Sequence, residues 1–159
     1  MDILNIAITM EDEGAKFYRS LAEKTDSAAF KSVLNLMARD EDKHQKVFEA
    51  WRKKNRIPIE DSNVVSEVNT IFKEAQKVDF VNASEQLDLY NQALSKESEA
   101  IEYYEKLKED PEHASSLELI DKIIKEEKKH HAILTDLIEY ISQPDSWVES
   151  AEFGVRAAY

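Results

Sequence analysis

Cysteine is absent from these 159 residues, which removes disulfides, thiolate catalysis and any cysteine-bound iron or zinc centre. Any metal the chain holds must be bound through oxygen and nitrogen. Glycine occurs twice and proline three times, too seldom for the turns of a many-stranded fold. With frequent Glu, Lys, Leu and Ala, that scarcity points to an all-α protein of long helices. No apolar run approaches the roughly eighteen residues of a membrane span. The N-terminus lacks a basic stretch leading into an apolar one and a cleavage site. The expectation is a cytoplasmic protein with no membrane partner. Basic residues are outnumbered by acidic ones, 21 to 33, leaving a net charge of −12, which argues against nucleic acid as a partner and is compatible with cations. What is present, 42% hydrophobic and 34% charged residues, suits one ordinary domain with a sizeable core.

Apolar residues recur at three- and four-residue spacing in four segments, each the stripe of an amphipathic helix. The first, about residues 2 to 25, carries Ile3, Ile6, Ala7, Met10, Gly14, Phe17 and Leu21. After turn and N-cap chemistry at Asp26 and Ser27, a second segment runs to about Asn55 with Phe30, Val33, Leu34, Met37, Val47, Phe48 and Trp51. A third opens near Ser84 as N-cap, carries Leu87, Tyr90, Leu94, Ile101, Tyr104 and Leu107, and stops at Asp110-Pro111. The fourth starts near Ser115 or Ser116, runs through Leu117, Ile120, Ile123, Ile124, Leu134, Leu137, Ile138 and Ile141, and ends before Pro144. Short connections make helices one and two, and helices three and four, antiparallel neighbours. Residues 56 to 83 are long enough to cross a bundle of about 36 Å, the span of some 24 helical residues at 1.5 Å each, so the second and third helices should be parallel. Within this crossover Val64 to Val78 reads as a short helix. The expected organisation is a four-helix bundle over 1–144 and a C-terminal extension over 145–159. The extension's Trp147, Val148, Phe153, Val155 and Tyr159 call for packing on the bundle or on a neighbouring subunit.

Acidic residues interrupt these apolar stripes in a repeated pattern. Glu11, Tyr18, Glu41 and His44 recur as Glu97, Tyr104, Glu127 and His130, every pair 86 residues apart. "EDEGAKFY" stands against "ESEAIEYY", and "RDEDKHQKVF" against "KEEKKHHAIL". Each half thus supplies a lone Glu and, 30 residues later, a Glu-x-x-His. A single Glu-x-x-His is common on solvated helix faces, but four unpaired carboxylates in a core are not tolerated. Two divalent cations cancel their charge, and two neutral imidazoles complete the coordination. Residues i and i+3 project from one helix face, so two Glu-x-x-His helices and two lone Glu helices form the di-iron or di-manganese arrangement of helical bundles. Carboxylate and imidazole ligands favour Fe or Mn over a thiolate-selected metal. The candidate metal ligands are Glu11, Glu41, His44, Glu97, Glu127 and His130. His131 is an alternative to His130, but only His130 keeps the 86-residue offset. Glu13 and Glu99 share the offset yet lie roughly 200° round the helix from the lone Glu residues and should face water. His113 is expected in a solvated loop, and Trp51 and Trp147 in the core. The competing reading is a duplicated bundle whose acidic residues face solvent.

At these residues the chain resembles the rubrerythrin-type branch of the ferritin-like di-iron carboxylate proteins, over about residues 2 to 142. The resemblance implies a ferritin-like four-helix bundle holding two Fe ions, with Mn possible. It implies that Glu11 and Glu97 are terminal ligands, that Glu41 and Glu127 bridge, and that His44 and His130 each bind one ion. Tyr18 and Tyr104 look like the tyrosines that hydrogen-bond ligand carboxylates in the family, though both positions also suit ordinary helix core. The implied activity is oxidation of the reduced centre by hydrogen peroxide or dioxygen, as in defence against oxidative stress. The alternatives are a ferroxidase or iron-handling protein and a non-catalytic bundle for assembly. Rubrerythrins proper carry a cysteine-rich rubredoxin domain; without cysteine, electrons are expected from an external rubredoxin-like donor. A homodimer is the expected assembly. The family's extra Glu, one turn after the lone Glu of the third helix, is replaced by Ala100, which bears on the ligand exchange linked to peroxidase activity.

Overall fold

The computed structural model describes residues 3–144 and Phe153. Four long helices form the bundle: α1 (Ile3–Lys24), α2 (Ala28–Arg52), α5 (Leu87–Lys108) and α6 (Leu117–Ser142), with α3 (Val64–Phe72) and α4 (Lys77–Ala83) in the crossover. No strand occurs among the described residues. Ser27 is the N-cap of α2, its hydroxyl accepting the Phe30 N–H at 3.3 Å, which satisfies one of the free donors of the first turn. At the other end Lys54 takes a left-handed φ of 64°, and the Asn55 N–H closes onto the Ala50 carbonyl at 2.8 Å. This turn ends α2 at Arg52, three residues before the sequence-based boundary.

The directions of the helices follow from pairs of touching side chains. Asn5 with Arg52, and Arg19 with Asp42, set α1 against α2 in antiparallel sense. Glu11 with Tyr104, and Tyr18 with Glu97, do the same for α1 and α5. Lys108 with Asp121, and Glu97 with His130, do so for α5 and α6. Helices α2 and α5 are therefore parallel, as the length of the crossover requires.

The crossover and the start of the third long helix differ from the periodicity reading, whereas α6 opens at Leu117 behind Ser116, as expected. Residues 64–83 form two helices, because Gln76 takes an extended conformation and pairs reciprocally with Asp79 to open α4. Ser84 is not the N-cap of the third long helix; Ser84–Gln86 make a 3-10 turn and α5 begins at Leu87. His113 lies in a second 3-10 stretch, Pro111–Ser116, with its side chain 16% exposed and 3.6 Å from Asp110, so it is not the solvated loop residue expected. Leu117, expected in the apolar stripe of α6, is 37% exposed.

The core divides into two apolar clusters. One contains Phe30, Leu34, Met37, Phe72, Phe80, Tyr90, Leu134 and Leu137; the other contains Ala7, Val47, Phe48, Tyr104, Ile120 and Ile123. Along every long helix the acidic positions fall between residues of the first cluster and residues of the second. Phe153 belongs to the first, its ring stacked on Phe72 at 4.4 Å and its backbone joined to the Asn69 amide. Trp147, Val148, Val155 and Tyr159 lie outside the described residues. Among the described residues no helix is long and apolar enough to cross a membrane.

Candidate metal centre

The layer between the two apolar clusters is built from one turn of each long helix. Helix α1 contributes Glu11, α5 contributes Glu97, and the i, i+3 pairs Glu41/His44 and Glu127/His130 come from α2 and α6. All six are at most 4% exposed. Their ligand-capable atoms form two overlapping groups, Glu11–Glu41–His44–Glu127 and Glu41–Glu97–Glu127–His130, with all atoms within a group inside 4.8 Å of one another. Glu41 and Glu127 belong to both groups, which is the position a carboxylate bridging two ions must occupy.

The contacts obey the 86-residue offset as closely as the sequence does. Tyr18 donates its hydroxyl to Glu97 Oε1, and Tyr104 donates to Glu11 Oε1 at 2.9 Å. His44 Nδ1 lies 3.2 Å from Glu127 Oε1, and His130 Nδ1 lies 2.9 Å from Glu41 Oε1. Each half therefore completes the other, and neither tyrosine is mere core. Both imidazoles aim Nδ1 at the carboxylates, so Nδ1 is the nitrogen available to a metal. Glu97 Oε2 is buried without a hydrogen-bond partner, and so is Glu11 Oε2 except for the His44 Nδ1 at 3.4 Å; a buried carboxylate oxygen left unpaired is costly unless a cation or proton takes its lone pairs. The donor set thus fits a hard or borderline cation bound by oxygen and imidazole.

Without a cation, protons take that role. Burial, together with the charges of Glu11, Glu127 and Glu97, pushes the Glu41 carboxyl well above its ordinary range. Burial and the Glu127 charge raise Glu97 to about 8. For Glu11 burial acts upward too, but a hydrogen bond with Glu41 and the charge of His44 win, and its pKa is lowered. Burial opposes charge on the histidines, yet the surrounding acids prevail: Glu11 and Glu127 raise His44 well above normal, and Asp40 and Glu97 raise His130 to about 10. The cluster is electrostatically suited to a cation, which would take the place of these protons.

His130 Nε2 lies 2.9 Å from Asp40 Oδ2. Asp40 is 1% exposed, and its pKa is depressed because the contacts with His130 and Ser62 outweigh burial. A carboxylate behind a ligand imidazole fixes its tautomer and ring orientation and strengthens it as a donor. Sequence reasoning passed over Asp40, although a signal existed: Asp40 and Glu126 directly precede the Glu-x-x-His glutamates and are themselves 86 residues apart. Ser62, which donates to Asp40 Oδ2 at 2.7 Å, comes from the crossover and carried no signal. His131 is outside both ligand groups. Glu13 and Glu99 are exposed. Trp51 is only partly buried, its ring N–H donated to the Ile57 carbonyl at 2.8 Å with Arg56 over its face; Trp147 lies outside the described residues.

The sequence pattern that defines the rubrerythrin family matches residues 2–138, which include all four long helices except the last residues of α6. The chain belongs to the rubrerythrin family. No curated protein and no solved structure matches it significantly. The match covers the ferritin-like domain of the family, and the buried carboxylate and imidazole cluster is compatible with the di-iron site of a rubrerythrin. Glu41 and Glu127, with two lone glutamates and two histidines around them, would hold the metal.

Proposed function

We propose that this rubrerythrin-family protein is an oxidoreductase whose pair of iron ions, with manganese as the alternative metal, is oxidised by hydrogen peroxide or dioxygen and re-reduced by an external electron-donor protein. The observation that carries the reading is the sharing of Glu41 and Glu127 between two four-ligand groups inside a water-excluding core. Bound iron supplies the two electrons that reduce peroxide, with two protons, to two waters. The chain's own residues do the rest. Tyr18 and Tyr104 hold the carboxylates of Glu97 and Glu11 in place, so ligand geometry is set before an oxidant arrives. The apolar clusters on either side keep bulk water from the charges. A cavity of about 90 Å³, lined in part by Glu11, Gly14, Glu41, Glu97, Ala100 and Glu127, is of a size that suits a very small oxidant.

A ferroxidase is the second reading, favoured by the exposed Glu13 and Glu99 beside that cavity, where Fe(II) could be drawn in. The test is anaerobic loading with Fe(II), elemental analysis, and single-cycle oxidation by peroxide and by dioxygen under matched conditions. Two Fe per chain and faster oxidation by peroxide support the scavenger, with further turnovers only after an electron donor such as rubredoxin and its reductase is added. Faster oxidation by dioxygen with continued Fe(II) uptake supports the ferroxidase. Failure to bind metal overturns both.

A further inference from the structure

The 86-residue symmetry of the ligands breaks one layer out. Asp40 and Glu126 are counterparts by sequence, and both are 1% exposed. Asp40 reaches across to His130 Nε2 at 2.9 Å. Glu126 makes no corresponding contact with His44; its oxygens accept the Ser62 backbone N–H at 3.2 and 3.3 Å and the Lys129 ammonium at 3.0 Å. The divergence centres on Ser62. Its hydroxyl donates to Asp40 at 2.7 Å and accepts the Val64 N–H at 3.1 Å, while its carbonyl accepts Lys129 Nζ at 3.3 Å. One crossover residue thus uses its N–H, hydroxyl and carbonyl to tie together the acids behind both Glu-x-x-His motifs. His44 instead lines, with Asp40 and Ser62, a cavity of about 540 Å³ under the crossover, and among the described residues no carboxylate contact to its Nε2 corresponds to that of Asp40 with His130.

We propose that Ser62 is a positioning residue that locks His130 through Asp40 and draws Glu126 away from His44, so that the two metal positions are unequal and the His130 end binds its ion more tightly. The physical basis is that an imidazole with a fixed carboxylate behind it is held in the ligating tautomer, whereas one without such a partner must be ordered on binding. The two ends carry the same residue types at the six candidate ligand positions, whereas the groups behind the two imidazoles differ through the crossover. The inference rests on the metal-binding reading above.

Co(II) titration of the metal-free protein, followed optically, tests it without recourse to turnover. The wild type should take up two equivalents in two resolved steps. Ser62→Ala should weaken the tighter step by about 10- to 100-fold, the usual effect of losing such a supporting contact, and leave the weaker step unchanged. Ser62→Thr, which keeps the hydroxyl, should restore it. Proton spectra of the Co(II)-loaded wild type give a second readout, which stands even if Ser62→Ala does not fold. Of the two metal-shifted imidazole N–H signals, one should exchange slowly with solvent and one fast, and Ser62→Ala should accelerate only the slow one. Two equal affinities, two equal exchange rates, or a Ser62→Ala variant that binds as the wild type does each overturn the assignment. A wild type that takes up no Co(II) overturns it together with the metal-binding reading.

Discussion

Stripping the metal should make this protein sensitive to alkali in a range where most acidic proteins are stable. Glu97 titrates at about 8 in the folded chain against an ordinary 4.5, and His130 at about 10 against 6.5. Between about pH 6.5 and 8 the folded state therefore holds two protons that the unfolded state has released. Stability falls where the native state binds the extra protons, by about 1.4 kcal/mol per proton per pH unit. Two groups over this window amount to roughly 4 kcal/mol, a large share of the 5–15 kcal/mol that typically holds a domain together. Glu41 and His44, also raised, act in the same direction. Glu11 and Asp40 are depressed, so they stay ionised in both states above the ordinary carboxylate range and contribute only to loss of stability in acid. Urea unfolding of protein kept in chelator should show its midpoint falling steadily between pH 6.5 and 8 at constant slope. Metal displaces the same protons, so the loaded protein should show no such decline, and loading should release acid. A metal-free midpoint that is flat or rising across this window would refute the buried cluster.

Glu127→Ala should lower metal content, and the double substitution at Glu41 and Glu127 should abolish it, because each carboxylate belongs to both ligand groups; full occupancy of the double variant by elemental analysis contradicts the assignment. Tyr18→Phe leaves Glu97 Oε1 without its hydroxyl donor, and Tyr104→Phe does the same to Glu11. Each should weaken metal binding by about tenfold, measured by competition with a chromophoric chelator, and identical affinities would make both tyrosines simple core. Phe153→Ala removes a fully buried ring stacked on Phe72 and should destabilise the protein by about 3–5 kcal/mol in the same urea assay; a loss under about 1 kcal/mol would show that the ring contributes little to the core.

The buried carboxylate and imidazole cluster was legible because the sequence states its residues twice. One Glu inside an apolar stripe is ambiguous, but Glu11, Glu41 and His44 repeated at constant offset as Glu97, Glu127 and His130 require a shared, symmetric environment. The four long helices were legible for a related reason: each must bury a stripe on both sides of that layer, which sustains the 3.6-residue period over six or more turns. The crossover has no such constraint. Its two helices are separated by Gln76, a residue rarely read as a cap, which acts as one only because Asp79 returns to its N–H. Ser84 looked like an N-cap by type, yet the helical path runs through it from α4 into a 3-10 turn, so it has no chain reversal to cap. Asp40 needed the third dimension. Its carboxylate is placed by a histidine 90 residues away and by a serine from the crossover, and no local pattern announces either partner.

The cavity above the carboxylates gives the departure at Ala100 a structural meaning. Gly14 and Ala100 are counterparts at the 86-residue offset, and both line the cavity where α1 faces α5. A Cβ at Gly14 would stand 3.4 Å from Glu41 Oε2, already in contact with that carboxylate, so a longer side chain on α1 would have to pass beside it. Ala100 already has its Cβ and is partly exposed to the opening, which makes α5 the side from which an additional carboxylate can enter. Ala100→Glu would bring a further carboxylate to a space of about 90 Å³ already bordered by the buried Glu11, Glu41, Glu97 and Glu127 and the exposed Glu13 and Glu99. In the metal-free protein this should raise the local proton affinity further and cost stability above neutral pH, because like charges in one buried site cannot all ionise. In the loaded protein the added ligand should speed oxidation by peroxide relative to dioxygen, if exchange of a carboxylate at this position is the step that the chain otherwise lacks. Stopped-flow oxidation of wild type and variant at equal metal occupancy decides the matter. An unchanged ratio of peroxide to dioxygen rates would mean that Ala100 only fills space and that oxidant choice is set by the six ligands alone.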